Sequence, residues 1–390
     1  MRIVDVNGFY TPSGGGVRTY VARKLAAAPA LGHEVIILAP GKGNGEAAIN
    51  SHARILTLAN PAFPLDRRYH YFADEAALHR ALDALRPDVV ECSSPWNSAS
   101  MVARWRGRAL RSLVMHADPL AAYAYRWFGG IMDRASIDRG FEWFWRHLRR
   151  LDARNDLVVS ASKSLSGRLE CGGLTNVVTE PMGVEPGVFS MRLRDEALRA
   201  GLLARCGLGP DATLLVGVGR FSPEKRWPMV VEAAMRAGYR RAVGLVLIGE
   251  GRDRKRMDKA AAGSPHMQTI APIADRRLLA TLLASADALV HGCEAETFCM
   301  VAAEARASGL PLIVPDLGGA ADQAEYGIGR TYRAADGADM ARAITEYLDA
   351  DPVAELAAAR ARATSVRTMD DHFASLFSRY SEQLDRRAAA

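Results

Sequence analysis

The feature that most constrains the fold of this chain is a regular alternation of short, β-branched runs with helical stretches. In the first half the runs cover residues 3–6, 35–38, 88–91, 112–116 and 157–160, and in the second half they cover residues 214–219, 243–248, 268–270, 288–291 and 312–314. Strands that alternate with helices form parallel sheets with helices on both faces. The pattern therefore predicts an α/β protein with two Rossmann-like, doubly wound domains.

A stretch rich in proline and glycine, residues 180–189, interrupts this alternation near the middle of the chain. A length of 390 residues also suits two domains of ordinary size. We therefore expect one domain over residues 1–183 and another over 186–365, with a cleft between them. The remaining residues, 366–390, repeat apolar side chains at steps of three and four, which predicts an amphipathic helix that docks on an apolar surface.

The net charge of +6 and the pI near 9.1 favour anionic partners such as phosphates or acidic lipid headgroups. A basic surface that only maintains solubility is an equally good interpretation. The five cysteines include no C-x-x-C pair, so neither a zinc knuckle nor a disulfide framework is indicated. The N-terminus is typical of a strand rather than a signal peptide, and no apolar run approaches the roughly 18 residues of a spanning helix. We expect a cytoplasmic protein, soluble or peripheral on the inner face of the cell membrane.

Two segments carry candidate ligand-binding groups at the starts of helices. A glycine triplet that includes Gly15 and Gly16 lies between the first strand and a helix, where bare backbone amides can approach a phosphate or sugar closely. An ordinary turn is the alternative. In the second half, Arg220 and Lys225 follow the first strand, at the sheet edge where open α/β sheets bind ligands. Two cations there can neutralise a diphosphate, although surface cations are commonly only solvated.

Two carboxylates, Glu296 and Glu304, are spaced eight residues apart on either side of a helix start. Carboxylates accept hydrogen bonds from hydroxyl groups, as sugar and ribose recognition requires. Helical side chains lean toward the helix N-terminus, so Glu304 can point toward the same region as Glu296. The alternative is that Glu296 only stabilises the positive end of the helix and that Glu304 pairs with a neighbour such as Arg306.

The carboxylate segment resembles the E-x7-E segment of the retaining family 4 glycosyltransferases. The resemblance rests on Glu296, Phe298, Glu304, Gly309 and Pro311, together with Gly14 to Gly16, Gly183-Val-Glu185, Phe189, Arg220, Lys225 and Gly249-Glu-Gly251, all in the family's order. These segments span nearly the whole chain. The resemblance implies the GT-B fold, with a nucleotide-sugar donor held by residues 186–365, an acceptor held by residues 1–183, and a last helix that crosses back to the first domain.

The family's functional residues have counterparts here. The resemblance implies a catalytic set of His116, Arg220, Lys225 and Glu296, and a donor-binding set of Gly15, Gly16, Gly251, Phe298, Cys299, Met300 and Glu304. Without it, His116 is more typical of an ordinary hydrogen-bonded residue at a strand end. Neither a metal nor a separate cofactor is implied. Cys299 and Arg226 replace glycines that are common in the family, and Met182 replaces an asparagine, so GDP-mannose and UDP-hexoses both remain open as donors.

Residues 123–150 interleave aromatic side chains with arginines, which admits three interpretations. They form an acceptor wall, with Asp118, Tyr123, Tyr125 and Trp127 as the candidate contacts, or they lie on an anionic membrane surface. Alternatively, they form a pair of core-facing helices with solvated arginines. A nucleic-acid partner is not expected, because no recognised binding module accompanies the aromatic residues.

Together these features predict a metal-independent, retaining hexosyltransferase that acts on a lipid-linked, cell-envelope or other glycan. A mannosyltransferase is one such enzyme. The first rival is a nucleotide-sugar epimerase of the same architecture, which would turn over its donor without any acceptor. The second is a two-lobed binding protein, in which the same charged groups only clamp a ligand.

Overall fold

The computed structural model describes residues 1–11, 16–64, 66–129, 131–261 and 264–389. The chain divides into two compact units. Unit 1 comprises Met1–Asp118, Trp127–Pro181 and Met369–Ala390, and unit 2 comprises Pro119–Arg126 and Met182–Thr368. The stretch Pro119–Arg126, which we expected in the first domain, therefore groups with unit 2. An ion pair there joins Arg126 Nη1 to Glu224 Oε2 at 3.2 Å.

The first half of the chain contributes eight strands and seven helices among its described residues. They are β1 (Arg2–Val6), α1 (Gly16–Ala27), β2 (Glu34–Gly41), β3 (Gly45–Asn50), β4 (Ala53–Ala59), α2 (Glu75–Leu85), β5 (Val89–Cys92), α3 (Asn97–Arg104), β6 (Leu110–Met115), a π-helical turn (Leu120–Ala124), α4 (Tyr125–Phe128), α5 (Arg134–Gly140), α6 (Glu142–Asp152), β7 (Leu157–Ser160), α7 (Lys163–Cys171) and β8 (Val177–Thr179). The strands form one sheet in the order β3-β4-β2-β1-β5-β6-β7-β8.

The second half contributes a six-stranded sheet in the order β11-β10-β9-β12-β13-β14. Its elements, with the C-terminal helices, are 3₁₀ turns at Met191–Leu193 and Pro223–Lys225, α8 (Glu196–Arg205), β9 (Thr213–Val218), α9 (Trp227–Gly238), β10 (Val243–Ile248), α10 (Arg254–Ala261), β11 (Met267–Ile270), α11 (Arg276–Ser285), β12 (Ala288–Val290), α12 (Met300–Ala307), β13 (Leu312–Pro315), α13 (Gly318–Tyr326), β14 (Gly329–Tyr332), α14 (Gly337–Asp349), α15 (Pro352–Ala363) and α16 (Met369–Ala389). The paired strands of this sheet run parallel.

The central strands are buried on both faces, which explains their continuous apolar sequences. Every residue of β10 is buried, and so is every residue of β7. The first sheet is parallel as predicted except at one edge, where β3 pairs antiparallel with β4. Most of β3 is exposed, so its sequence lacks the apolar run that marks the other strands.

Two segments of unit 2 that adjoin unit 1 in the sequence, residues 182–184 and 367–368, contact each other. In unit 2 the amide of Val184 donates to the carbonyl of Arg367 at 2.9 Å. A Cβ on Gly183 would lie 2.1 Å from the carbonyl carbon of Thr368, so this close approach requires glycine. The predicted connection at residues 180–189 therefore pairs with the segment that precedes α16.

The last helix, α16, belongs to unit 1, where it packs on α1 and β6. Its apolar face buries Phe373, Leu376, Phe377 and Tyr380, the residues whose spacing predicts the helix. No helix of the described residues is long and apolar enough to cross a membrane.

Candidate functional site

An ion pair lies at the carboxyl edge of the unit 2 sheet. Lys225 ends the 3₁₀ turn after β9, Glu296 follows β12, and the Lys225 ammonium donates to Oε1 of Glu296. His291, the residue after β12, places Nε2 3.4 Å from the same oxygen. β9 and β12 are neighbours in the sheet, so the parallel fold brings these side chains together.

The pair keeps both of its charges at neutral pH. Burial acts to raise the pKa of Glu296, but the Lys225 ammonium and His291 together hold it well below the usual range. Burial likewise acts to lower the pKa of Lys225, and the Glu296 carboxylate raises it instead. Lys225 therefore presents a fixed cation, and Glu296 fixes its position while leaving carboxylate lone pairs for other donors.

The loop between Glu296 and α12 uses a strained residue. Cys299, which caps α12 at its N-terminus, has a φ of +65°, in the left-handed region that favours glycine. Cys299 stands where the family commonly has glycine, and Arg226, which also replaces a family glycine, has a φ of +50°. Phe298 and Cys299 are buried, and Met300 is the first residue of α12. The left-handed backbone conformation is therefore adopted here by residues that carry a Cβ.

Substitutions of Cys299 test this strain. Cys299→Gly is expected to be more stable than Cys299→Ala by about 1 kcal/mol, because alanine keeps the cost of a Cβ at positive φ. At Cys293, a buried residue that is not in the left-handed region, the order should reverse and Cys293→Ala should be the more stable. Urea unfolding of the four variants measures the free energies. The same order at both positions would contradict the interpretation.

Glu304 has a different partner from the one that the alternative interpretation named. It is 5% exposed on α12 and accepts from Nη2 of Arg276, the first residue of α11. Arg276 also reaches Glu185, with Nε 3.4 Å from Oε2. Burial raises the pKa of Glu304 although Arg276 opposes that shift. Arg306 instead donates to Gln323 at 2.7 Å, so the alternative holds for Glu304 through Arg276 and not through Arg306.

Arg220 lies on the same turn as Lys225 but extends into solvent. Its side chain is 83% exposed, and Nη2 lies 3.6 Å from Oε1 of Glu224. Its carbonyl oxygen accepts from the Trp227 indole at 2.8 Å, which fixes the backbone of the turn. The structure thus joins Lys225 to Glu296 but leaves the Arg220 guanidinium largely exposed to solvent, beside Glu224.

Glycines shape the same edge of the sheet. A Cβ on Gly251 would lie 2.4 Å from the carbonyl oxygen of Phe221, which explains the Gly-x-Gly turn as a close packing of two loops. Gly318 and Gly319, which begin α13, were not identified from the sequence. The Gly319 amide donates to the Glu296 carbonyl at 2.7 Å, and a Cβ there would lie 2.6 Å from the Phe298 nitrogen. The sequence signal that could have identified them was a pair of glycines shortly after the strand at residues 312–315.

Arg226 and Glu294 were also missed as a pair. Nε of Arg226 donates to Oε2 of Glu294 at 3.0 Å, beside the Lys225–Glu296 pair. His291, Glu296 and Cys299 have potential metal-ligand atoms within 4.8 Å of one another. The set does not suit a metal, because Lys225 already occupies the carboxylate and burial raises the pKa of the Cys299 thiol well above its usual value.

In unit 1, His116 directly follows β6 and its ring packs against Tyr20, with ring centroids 4.7 Å apart and an interplanar angle of 71°. Burial of the ring lowers the pKa of His116 to about 4, with Lys24 acting in the same direction and Asp5 against it. The imidazole is therefore neutral at pH 7. Gly16 begins α1 and is exposed, whereas Gly14 and Gly15 lie outside the described residues.

The predicted acceptor contacts differ in exposure. Asp118 is buried in unit 1, where Arg168 places Nε 2.5 Å from its Oδ2. Trp127, also in unit 1, is 62% exposed. Tyr123 and Tyr125 lie in the short segment that belongs to unit 2, and they are 54% and 8% exposed respectively. Tyr125 therefore leaves little of its ring for an acceptor.

The lowered pKa values of buried histidines predict an acid-sensitive fold. His116 and His291 both have lowered pKa values in the folded state, chiefly through burial. Between about pH 6.5 and pH 4 the unfolded chain binds more protons, so the free energy of unfolding falls as the pH falls. Urea unfolding of wild type at pH 7 and pH 5 should show the loss, and His116→Gln should reduce it by on the order of 1 kcal/mol. An identical loss in both proteins would contradict the assignment to His116.

Known proteins match nearly the whole chain. The family model described as Glycosyltransferase Family 4 matches residues 14–187, and the one described as Glycosyl transferases group 1 matches residues 206–364. The chain is 32% identical over 318 residues to the GDP-mannose-dependent alpha-(1-6)-phosphatidylinositol dimannoside mannosyltransferase of Mycobacterium tuberculosis, which covers 80% of this chain and 79% of the relative. The chain belongs to glycosyltransferase family 4.

A second relative and a solved structure extend the comparison of this family 4 glycosyltransferase. This chain is 30% identical over 335 residues to the GDP-mannose-dependent alpha-mannosyltransferase of Mycolicibacterium smegmatis. The matched residues cover 83% of this chain and 81% of the relative. The sucrose-phosphate synthase of Thermosynechococcus elongatus has the same fold, with a TM-score of 0.75 at 19% identity over the whole of both chains. The predicted GT-B fold and the predicted hexosyltransferase class are confirmed.

Proposed function

We propose that this family 4 glycosyltransferase moves mannose from GDP-mannose to a hydroxyl group of a lipid-linked or cell-envelope glycan, with retention at the anomeric carbon and without a metal. The observation that carries the proposal is the Lys225–Glu296 pair at the carboxyl ends of β9 and β12. It supplies a fixed cation for a diphosphate beside a carboxylate for sugar hydroxyls. The names of both relatives favour GDP-mannose over UDP-hexoses as the donor.

In the proposed reaction the anomeric C–O bond breaks and negative charge develops on the leaving diphosphate. Lys225 and the backbone amides that begin α12 stabilise that charge electrostatically. The acceptor oxygen attacks from the face that the diphosphate leaves, so the anomeric configuration is retained. Its proton passes to the departing phosphate oxygen, and a protein nucleophile is not required. Arg220 adds a second cation once it turns from Glu224 toward the ligand.

The remaining site residues have proposed roles of their own. Glu304 accepts hydrogen bonds from the ribose hydroxyl groups, and these bonds replace part of its contact with Arg276. Gly16, Gly251 and the amides of residues 298–300 contribute backbone contacts to the donor. His116 is neutral at pH 7 and can therefore accept a hydrogen bond from the reacting sugars. The family resemblance supports its placement near the reacting carbon.

The donor proposal is tested by thermal shift and by transfer. A ligand at 100 times its Kd stabilises a protein by about 2.7 kcal/mol, so GDP-mannose should raise the Tm clearly and UDP-glucose should not. Transfer should proceed in EDTA, and Tyr239→Ser, at an exposed site remote from the sheet edge, should retain both responses. A response to UDP-glucose alone would overturn the choice of donor. A requirement for Mg²⁺ would overturn the metal-free mechanism.

The same assay separates transfer from epimerisation. The matched family models and the two relatives are those of transferases, which favours transfer. Incubation with GDP-mannose alone should leave the sugar of the donor unchanged. Formation of an epimer without acceptor would instead support the epimerase interpretation.

A surface of unit 1 supports a second proposal, that the enzyme lies on an anionic membrane while it acts. We define the apolar surface as Phe128, Ile131, Met132 and Trp143, which are 36%, 82%, 41% and 58% exposed. Their neighbours Phe144 and Trp145 are buried, as the core-facing interpretation predicts for those two rings. Exposed apolar groups beside arginines are typical of interfacial segments.

Vesicle binding tests the membrane proposal. The enzyme should sediment with phosphatidylglycerol vesicles more than with phosphatidylcholine vesicles, because arginines 134, 139, 146 and 150 on this side are exposed cations. Ile131→Ser combined with Trp143→Ser should reduce sedimentation about tenfold or more. Tyr239→Ser removes a ring of unit 2 that is 87% exposed, more than Trp143, and should have no effect. Equal loss in both variants would refute a specific surface.

A further inference from the structure

Tyr20 lies at the centre of a buried aromatic cluster in unit 1. It is 4% exposed on α1, and its ring packs against His116 on one side and against Phe373 of α16 on the other, with centroids 4.7 and 5.1 Å away. α16 thus contacts His116 through one intervening ring. A displacement of that ring would change the surface on which the imidazole rests.

A polar link fixes the Tyr20 ring. Its hydroxyl group lies 3.0 Å from Nε2 of His372, a residue 352 positions later on α16. Nδ1 of His372 lies 3.0 Å from the carbonyl oxygen of Pro181. A carbonyl oxygen only accepts, so Nδ1 carries the proton and, in the neutral ring, Nε2 accepts from the Tyr20 hydroxyl. Burial, reinforced by Asp5 and Glu180, raises the pKa of Tyr20 well above its usual value, so the hydroxyl remains a donor.

A buried ionic network lies next to the Tyr20 ring. Lys24, one helical turn further along α1, places Nζ 5.8 Å from the ring centroid. The same ammonium donates to Asp5 at 3.0 Å and to Glu91, and all three side chains are fully buried. Glu91 in turn accepts from Tyr380 of α16 at 2.6 Å. The hydrogen bonds at Tyr20 and at Glu91 are therefore two of the contacts that hold α16 in unit 1.

Only one of these bonds bears on His116. Tyr20 contacts the imidazole directly, whereas Tyr380 bonds to Glu91 and to Ser112. A buried donor that loses its acceptor is destabilising. Loss of the His372 acceptor would leave the Tyr20 hydroxyl group without that partner, and the Tyr20 ring would then be able to tilt. A reacting group that is misplaced by about 1 Å loses a large part of its rate advantage.

We propose that Tyr20 and His372 are positioning residues, whose hydrogen bond holds the Tyr20 ring in contact with His116 and so fixes the imidazole for the transfer step. This inference rests on the proposed function of His116. The C-terminal helix then does more than complete the fold, because it sets the orientation of a group in the reaction. Pro181, at the passage between the units, belongs to the same chain of hydrogen bonds.

Tyr20→Phe is the direct test, because it deletes the hydroxyl group and keeps the ring. We expect kcat for mannosyl transfer to fall about tenfold while KM for GDP-mannose stays unchanged. His372→Gln, which can still accept a hydrogen bond, should recover part of the rate relative to His372→Ala. The matched control is Tyr380→Phe, which deletes a buried hydroxyl on α16 and should lower the Tm but leave kcat per folded enzyme unchanged.

A double-mutant cycle distinguishes positioning from general stability. Tyr20→Phe should have no further effect on kcat in a His116→Ala background, since its effect passes through His116. Equal fold losses in both backgrounds, or a wild-type kcat for Tyr20→Phe, would overturn the positioning role while the role of His116 stands. A wild-type kcat for His116→Ala would overturn the proposed role of His116 itself. Activities are measured per folded enzyme, with the folded fraction taken from circular dichroism.

Discussion

Lys225→Ala is expected to lower kcat by about a thousandfold, because it removes the one fixed cation that faces the leaving diphosphate in the proposed mechanism. Lys225 lies on the turn after β9 and is already held by Glu296, so its charge costs little reorganisation during the reaction. A smaller effect is expected for Arg220→Ala, since that guanidinium is 83% exposed. Steady-state transfer from GDP-mannose measures both.

Two controls separate catalysis from stability. Lys225→Ala leaves the Glu296 carboxylate without its ammonium and should destabilise unit 2. The double variant Lys225→Ala with Glu296→Gln removes the uncompensated charge, so it should regain stability without regaining activity. Lys259→Ala, an exposed lysine of α10, should behave as wild type. Recovery of kcat in the double variant would show that Lys225 is only structural.

Gly319→Ala is expected to lower kcat/KM by about a hundredfold, because it shifts the loop between Glu296 and α12. The added Cβ would lie 2.6 Å from the Phe298 nitrogen, a distance that the backbone must relieve by moving. The displaced segment carries Glu296 on one side and the amides that begin α12 on the other. The Tm response to GDP-mannose should weaken in parallel, because the loop contributes to donor binding.

The matched control for Gly319 is Gly201, which lies in α8 of the same unit. A Cβ at Gly201 would meet nothing within 4 Å. Alanine also has the higher helix propensity, so Gly201→Ala should be neutral or slightly stabilising and should leave kcat/KM unchanged. Wild-type kcat/KM for Gly319→Ala would show that the loop does not depend on this close approach.

The sequence predicted those parts of the fold that are buried on both faces. β7 and β10 lie where the apolar runs place them, because central parallel strands must be apolar along their whole length. β3, β4, β8 and β14 were missed, since they carry few fully buried residues. An edge strand forms because it pairs with a neighbouring strand, and no local sequence pattern indicates that pairing.

In the candidate site too, the sequence predicted what local patterns indicate and missed contacts between distant parts of the chain. The rule that strand ends share one edge predicted that Lys225 and Glu296 would lie near each other. Their immediate partners were not predicted: Arg276 for Glu304, and His291 for Glu296, are brought in from other elements by the tertiary fold. The glycine pair at Gly318 and Gly319 had a sequence signal that the E-x7-E comparison did not include. The Tyr20–His372 contact joins residues 352 positions apart and had none.

The most direct test of the proposed function is a proton NMR time course of transfer from GDP-mannose to a phosphatidylinositol mannoside, in EDTA. The proposal predicts an α-mannoside as the first product, formed only while acceptor is present and absent with Lys225→Ala. A β-mannoside as the first product, or transfer from a UDP-hexose but not from GDP-mannose, would contradict it.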